Sequence, residues 1–346
     1  MNPTLVIAEK KRKVFGHLRK AAAGRCFVLT DTNTSRVCMP LLQPFLPAGT
    51  LEICIPSGEH HKNMEQVQQV WTRLLEAGAG RDALLLNLGG GMITDLGGFA
   101  AATYKRGIDF IHIPTTLMGM CDAAIGGKTG VDFHSGKNQV GLFVQPKEIL
   151  IYPGFLDSLP AEECLSGLAE YIKMAMLDGQ FRSVLRLHRK YQQTINYTAL
   201  IRKAVRFKRR LVQQDPEERG RRALLNFGHT IGHAMESASL AKGNAVPHGF
   251  CVAAGLLAEI RLSVLCLQFP EKLASPLMEV IYLLYRGHFP KVEMPECLPW
   301  LGWDKKNKNG KPQFVLLNAK GKPEFGVTVP PELVKQVVSE ICKLII

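Results

Sequence analysis

NFGHTIGH, residues 226–233, sets His229 and His233 four apart, which puts two imidazoles on one helix face as paired metal ligands stand. VPHGF adds His248 just ahead of another helical run, and LAEYIKM adds Glu170 with Lys173 three residues on. One carboxylate and two or three histidines from separate helices make an open zinc site, with a position left for water or substrate. The metalloprotease pattern H-E-x-x-H is absent, because Thr230 follows the first histidine. Each member alone also has a plainer reading: a core or surface histidine, and a Glu170–Lys173 ion pair on a helix surface.

A second set of residues suits phosphate. LLLNLGGGMITDLGGFAA, residues 84–101, reads as a buried strand, then Gly89, Gly90 and Gly91, then a helix beginning near Thr94 or Asp95. Glycines there let backbone N–H groups approach a pyrophosphate, and a helix N-terminus favours an anion. The dinucleotide spacing G-x-G-x-x-G fails at Thr94, and a tight turn capped by Asp95 remains an alternative. PSGEHHKN places Glu59 and Lys62 at another strand end, suited to a ribose hydroxyl and a negative group, and IPTTL ends a third strand with Thr115 and Thr116. In a parallel sheet such strand ends share the edge where ligands bind. CDAAIGGKTGVDFHSGKNQVG adds Asp122, Lys128 and Lys137 in Gly-rich surroundings read as loops. An ATPase P-loop is excluded, since Asp122 stands where its first glycine must be.

These groups need a scaffold. Strands are expected at Arg25–Asp31, Leu51–Pro56, in ALLLNLGGG and at Asp109–Thr116, alternating with helical stretches such as NMEQVQQVWTRLLEAG. Beyond about Pro153 the helical period dominates, and Gln313–Asn318 is the single later strand candidate. The expected fold is α/β: a Rossmann-like parallel-sheet domain over residues 1–155, then an all-helical domain over 156–346, with Tyr152–Pro160 as the break. At 46 % apolar and 21 % charged residues the composition is that of an ordinary globular protein. No stretch reads as a membrane span, and the N-terminal charges follow a short apolar run, where a secretory signal has them first. Nine cysteines without a C-x-x-C pair suggest reduced thiols and a cytoplasmic setting. The net charge of +13, concentrated between Arg182 and Arg222, suits nucleic acid, an acidic membrane surface or a small anion. Aromatics are not interleaved with these basic residues and no recognition-helix or zinc-finger pattern is present, so nucleic acid is the weaker partner.

Taken in order, GGGMITDLGGFAAATYKRGIDFIHIPTTL, DAAIGGKTGV, GKNQVG, GLAEYIKM, RRALLNFGHTIGH, HG and DKK resemble the 3-dehydroquinate synthases, from about Leu51 to Gly321. In that family GGGxxxD takes the place of the dinucleotide fingerprint. The resemblance implies NAD contacts from Glu59, Lys62, Gly90, Gly91, Asp95, Thr115, Thr116, Asp122, Lys128, Lys137 and Asn138. It implies Glu170, His229 and His248 as ligands of Zn2+ or Co2+. Substrate would be held by Arg106, Lys128, Lys173, Lys208, Arg222, Asn226, His233 and one of Lys305 and Lys306, with Arg106 reaching a partner's site in a homodimer. His233 thereby becomes a substrate-site residue, a role its spacing from His229 does not suggest. The expected partners are an anionic sugar phosphate and a second copy, not nucleic acid or a membrane. The implied reaction turns 3-deoxy-D-arabino-heptulosonate 7-phosphate into 3-dehydroquinate and phosphate, with NAD reduced and reoxidised in each turnover. Departures from the family pattern fall at Thr94, Met120, Cys121, Ala123, Ala124 and Phe250. The competing readings are another sugar-phosphate cyclase, of the 2-deoxy-scyllo-inosose or valiolone synthase type, and a metal-dependent glycerol or alcohol dehydrogenase.

Overall fold

Strand β1 (Thr4–Ile7), β2 (Cys26–Asp31), β3 (Leu51–Ile55), β4 (Leu84–Gly89) and β5 (Asp109–Pro114) are followed by an antiparallel ribbon, β6 (Lys128–Phe133) with β7 (Gly136–Phe143), and then by β8 (Glu148–Ile151). In the computed structural model, which describes residues 3–21, 24–134, 136–188, 195–301 and 312–345, six of these strands form one sheet in the order β1-β8-β5-β4-β2-β3. Every pairing in it is parallel. Strands β2 and β4 are buried at all six positions, as central strands covered on both faces must be, which is why they read as continuous apolar runs. Chain order reverses between β2 and β4, so the carboxyl end of β4, with its glycines, opens at the switch point where α/β sheets take ligands.

Helix α1 (Met64–Glu76) starts where Asn63 Oδ1 accepts the Gln66 N–H at 3.1 Å, and buries Val67, Val70 and Leu74. Helix α2 (Gly91–Thr103) is apolar nearly all round, and its Ile93, Leu96 and Phe99 join Phe27, Leu29, Ile53 and Leu85 in the core beneath it. The ribbon was expected as Gly-rich loops. Its glycines serve close strand approach instead: a Cβ on Gly130 would stand 2.6 Å from the Val140 carbonyl oxygen, and one on Gly141 would overlap that of Thr129. Lys128, Lys137 and Asn138 therefore lie on strands.

The chain divides into two compact units, one comprising residues 1–164 and 197–217, the other 165–196 and 218–346. Helix α3 (Ala161–Leu177) carries the chain out of the first unit, and α4 (Tyr197–Gln214) belongs to that unit again. Much of the positive charge rides on α4, where Arg202, Lys203 and Arg206 face solvent while Lys208 is buried among Ala204, Val205 and Leu211.

The second unit is largely helical: α5 (His229–Ala241), α6 (His248–Leu267), α7 (Glu271–Tyr285), α8 (Met294–Leu301) and α9 (Pro331–Ile345). It also holds β9 (Phe314–Leu317), paired with a strand the sequence did not suggest, β10 (Pro323–Val327). Helix α6 corrects one expectation, because by length and composition it could cross a membrane. Most of it is buried inside the unit, so its apolar character is that of a core helix.

Candidate active site

In the first unit the helix after β4 begins at Gly91, earlier than expected, with Gly90 as its extended N-cap. Asp95 is thus one turn inside the helix and does not cap it. A Cβ on Gly90 would stand 3.0 Å from Thr116 Cγ2, so glycine keeps this backbone open beside the end of β5. The Thr115 N–H donates to the Gly89 carbonyl at 3.0 Å, and Thr116 Oγ1 accepts the Gly119 N–H at 3.0 Å, which joins the β4 and β5 ends. Asp95 accepts a 2.7 Å bond from Lys62 Nζ, and Glu59 Oε1 lies 3.4 Å from the same ammonium. Lys62 is only 3 % exposed. Burial works against its charge, but Asp95 and Glu59 together outweigh that and hold its pKa above the ordinary lysine value. The Lys62 carbonyl accepts the Asp132 N–H at 2.8 Å, and Asp132 Oδ1 accepts the Asn138 N–H at 2.7 Å, which ties this turn to the ribbon. Asn138 is left-handed at φ 51°, a conformation asparagine tolerates well.

Thr116 is followed by the single π-helical turn Gly119–Ala123, in which Met120 and Cys121 are buried. Asp122 leaves this turn to meet Lys208 of α4, whose Nζ donates to the Asp122 carbonyl at 2.6 Å and to Oδ1 at 2.7 Å. Arg106, at the end of a short turn after α2, is exposed and left-handed at φ 67°.

The second unit assembles the histidines. Glu170 and Lys173, each 1 % exposed, form an ion pair through Glu170 Oε2, so the surface reading of this pair is wrong. The other oxygen, Oε1, lies 3.5 Å from His229 Nε2 and 3.9 Å from His248 Nε2. Nitrogens of His229, His233 and His248 lie within 4.8 Å of one another. Donors bound tetrahedrally at zinc distances stand about 3.4 Å apart, close to the Glu170–His229 separation and slightly inside the Glu170–His248 one. The tautomers agree with ligation. His229 Nδ1 is 3.2 Å from the Phe227 carbonyl oxygen and His248 Nδ1 is 3.0 Å from Glu236 Oε2, and both oxygens can only accept. With the proton on Nδ1 in each neutral ring, each Nε2 is the atom that can offer a lone pair on the side of Glu170. The donor set fits a divalent ion.

Two helices meet closely to make this arrangement. The Gly249 N–H donates to Ser166 Oγ at 3.1 Å, and any Cβ on Gly249 would overlap the Ser166 carbonyl. That contact brings α6, which opens with His248, against α3 one turn ahead of Glu170. Glu259, fully buried on α6, accepts the Gly228 N–H at 2.7 Å immediately before His229. Arg222 is 2 % exposed, and Asn226 lies on the same 3₁₀ segment, Arg221–Asn226. Phe250 packs against Tyr285 and His288, with ring centroids 6.0 and 5.0 Å away. Lys305 and Lys306 lie outside the described residues. Three contributors were not singled out in the sequence: Ser166, Glu236 and Glu259. A signal existed for Glu236, seven residues after His229 and three after His233 on one helix face.

The family model for the N-terminal part of 3-dehydroquinate synthase matches residues 52–166, and that for its C-terminal part matches residues 167–307. The chain belongs to the 3-dehydroquinate synthase family. A relative of that name from Parabacteroides distasonis is 39 % identical over 95 % of this chain and 94 % of its own. Among solved structures, 2-epi-5-epi-valiolone synthase from Streptomyces hygroscopicus, with NAD+ and Zn2+ bound, is 26 % identical, with a TM-score of 0.86 over 99 % of this chain and 97 % of that one. A 2-deoxy-scyllo-inosose synthase, 21 % identical with a TM-score of 0.82 over 97 % and 96 %, shares the fold. An α/β first part and a helical second part are thus the architecture of these enzymes.

Proposed function

We propose that this chain converts 3-deoxy-D-arabino-heptulosonate 7-phosphate into 3-dehydroquinate and phosphate, as a carbon–oxygen lyase of the shikimate pathway working in the cytoplasm. The observation that carries the reading is the burial of cations: Lys173 and Arg222 in the second unit and Lys208 in the first. Lys173 and Lys208 are each met by one protein carboxylate, Glu170 and Asp122, which offsets the cost of burying their charge, and an ammonium has three donors to share with further anions. A substrate with a carboxylate at one end and a phosphate ester at the other supplies such anions, whereas a glycerol or simple alcohol does not.

NAD fits the first unit, held by Gly90 and Gly91 at its pyrophosphate and by Glu59, Lys62, Asp95, Thr115, Thr116, Asp122, Lys128, Lys137 and Asn138 around it. A zinc or cobalt ion fits the second, held by Glu170, His229 and His248. Bound there, NAD would supply reversible hydride transfer and the metal ion would supply Lewis acidity. The chain's own residues do the rest. Lys173 fixes the unused oxygen of Glu170 and presents its remaining donors to the substrate, while Arg222, Lys208, Lys128, Asn226 and a lysine of the 305–306 pair clamp its charged ends. His233, beside His229 with ring centroids 5.1 Å apart, relays the C5 hydroxyl proton. The C6 proton passes to the substrate's own phosphate as the C–O bond breaks, so no protein base is assigned to that step. Holding the open chain in a ring-like pose favours the closing aldol step.

NAD binding is assigned to residues 1–155 and metal and substrate binding to 156–346, with Lys208 packed in the first compact unit. The working form is a homodimer in which Arg106 of one copy serves the other. The exposed Arg106 side chain and the exposed apolar residues Val140, Leu142 and Phe143 of the ribbon support this. The test is phosphate release from the heptulosonate phosphate with NAD present, before and after chelation and zinc return. Metal-dependent release without net NADH is expected. The second reading, a cyclase acting on another sugar phosphate, rests on the likeness to valiolone synthase, and release from that other substrate alone would favour it.

A further inference from the structure

Glu236 takes no part in the roles assigned above, yet it lies on the histidine face of α5. Its side chain is 11 % exposed, and its Oε2 stands 3.0 Å from His248 Nδ1. Nδ1 and Nε2 lie on different edges of an imidazole ring. Glu236 therefore stands behind His248, while Nε2 faces Glu170 Oε1 on the other side at 3.9 Å. His229 is oriented differently, because the Phe227 main-chain carbonyl holds its Nδ1. One histidine is thus held at Nδ1 by the backbone, which substitution leaves in place, and the other by a side chain, Glu236. The contrast matters because His248 stands at the first position of α6, directly after Pro247.

We propose that Glu236 is the positioning residue of the metal centre: it fixes the tautomer and ring angle of His248 and raises the basicity of the nitrogen offered to the ion. A carboxylate behind a ligating imidazole does both, and losing such a partner weakens metal binding by roughly 10- to 100-fold. The inference rests on the metal reading of Glu170, His229 and His248 given above. Glu236 is assigned no ligand role, only the contact of its Oε2 with Nδ1.

The test uses the full chain stripped of metal, with Zn2+ titrated against a chromophoric chelator and Co2+ followed by its visible ligand-field bands. E236A is expected to bind Zn2+ about 10- to 100-fold more weakly and to shift the Co2+ bands. The melting temperature of the metal-free variant, measured alongside, separates a loss of metal affinity from a loss of fold. E236Q keeps an oxygen that accepts from Nδ1–H but carries no charge, so it should fall between the two, and it carries the test if E236A does not fold. Unchanged Zn2+ affinity and Co2+ bands in these variants overturn the proposal while leaving the metal centre standing. If the unmodified chain binds Zn2+ no better than H229A, the metal reading itself falls, and the role of Glu236 falls with it.

Discussion

His112 should make the first unit acid-labile, by an amount the structure allows to be worked out. The residue sits in β5 opposite Asn87 of β4, 2 % exposed, with Nδ1 3.3 Å from Asn87 Nδ2 and its ring 5.2 Å from that of Phe110. Burial pushes its pKa down from 6.5 to about 3. In the unfolded chain the ring takes a proton below about pH 6.5, whereas in the folded unit it stays neutral down to about pH 3. Stability contributed by this group is therefore fully present above pH 6.5 and declines as the pH falls towards 3. At about 1.4 kcal/mol per pH unit the loss between pH 7 and pH 5 is about 2 kcal/mol, and the limit near pH 3 is about 5 kcal/mol. Hydrogen exchange of the β4 and β5 amides at pH 5, 6 and 7 reads the opening free energy of the unit that holds the residue. His112→Gln keeps an amide beside Asn87 and cannot titrate, so its profile should be flatter than that of the unmodified chain by about 2 kcal/mol over the same interval. Parallel profiles for the two proteins would refute the assignment of a buried neutral imidazole.

Lys62→Met leaves Asp95 without its 2.7 Å partner and should cost about 3 kcal/mol of stability by denaturant unfolding, with NAD binding weakened at least about tenfold by calorimetry. Gly249→Ala forces α6 away from Ser166 and so separates His248 from Glu170; Zn2+ affinity should fall by an order of magnitude or more, and an unchanged affinity would show that the close approach is dispensable. Chelation should abolish phosphate release and zinc or cobalt should restore it, whereas His229→Ala should stay inactive after either ion is returned.

The parts of the fold that could be read from the sequence are those in which neighbours along the chain decide the outcome. The run Leu84–Leu88, apolar but for Asn87, reads as a buried strand ending in a glycine turn, and the helical period of the basic segment 197–214 reads as the helix α4 becomes. The ribbon was misread because a glycine that permits close strand approach looks the same in sequence as one that makes a turn. Gly130 and Gly141 declare themselves only once β6 and β7 are paired. The Asn87–His112 contact depends on the register of β4 against β5, and the Glu170–His248 approach on one glycine meeting Ser166. Motif spacing named the candidate ligands but carried no information about what stands behind their rings, which is why Glu236 was passed over.

The return of α4 to the first unit constrains how the protein is made. Translation proceeds from the N-terminus, so the sheet and its glycine turn emerge while the helix bearing Lys208 is still unmade. About fifty residues separate Cys164 from the end of that helix, which at typical rates of synthesis means a wait of roughly 3 to 10 s. During that interval Asp122 has no Lys208 to hold it, and the apolar side of α4 has yet to cover its share of the core. A nascent chain arrested at Cys164 should therefore expose apolar surface that one arrested well beyond Glu217 has closed over, and any chaperone that attends this enzyme on the ribosome has its window there.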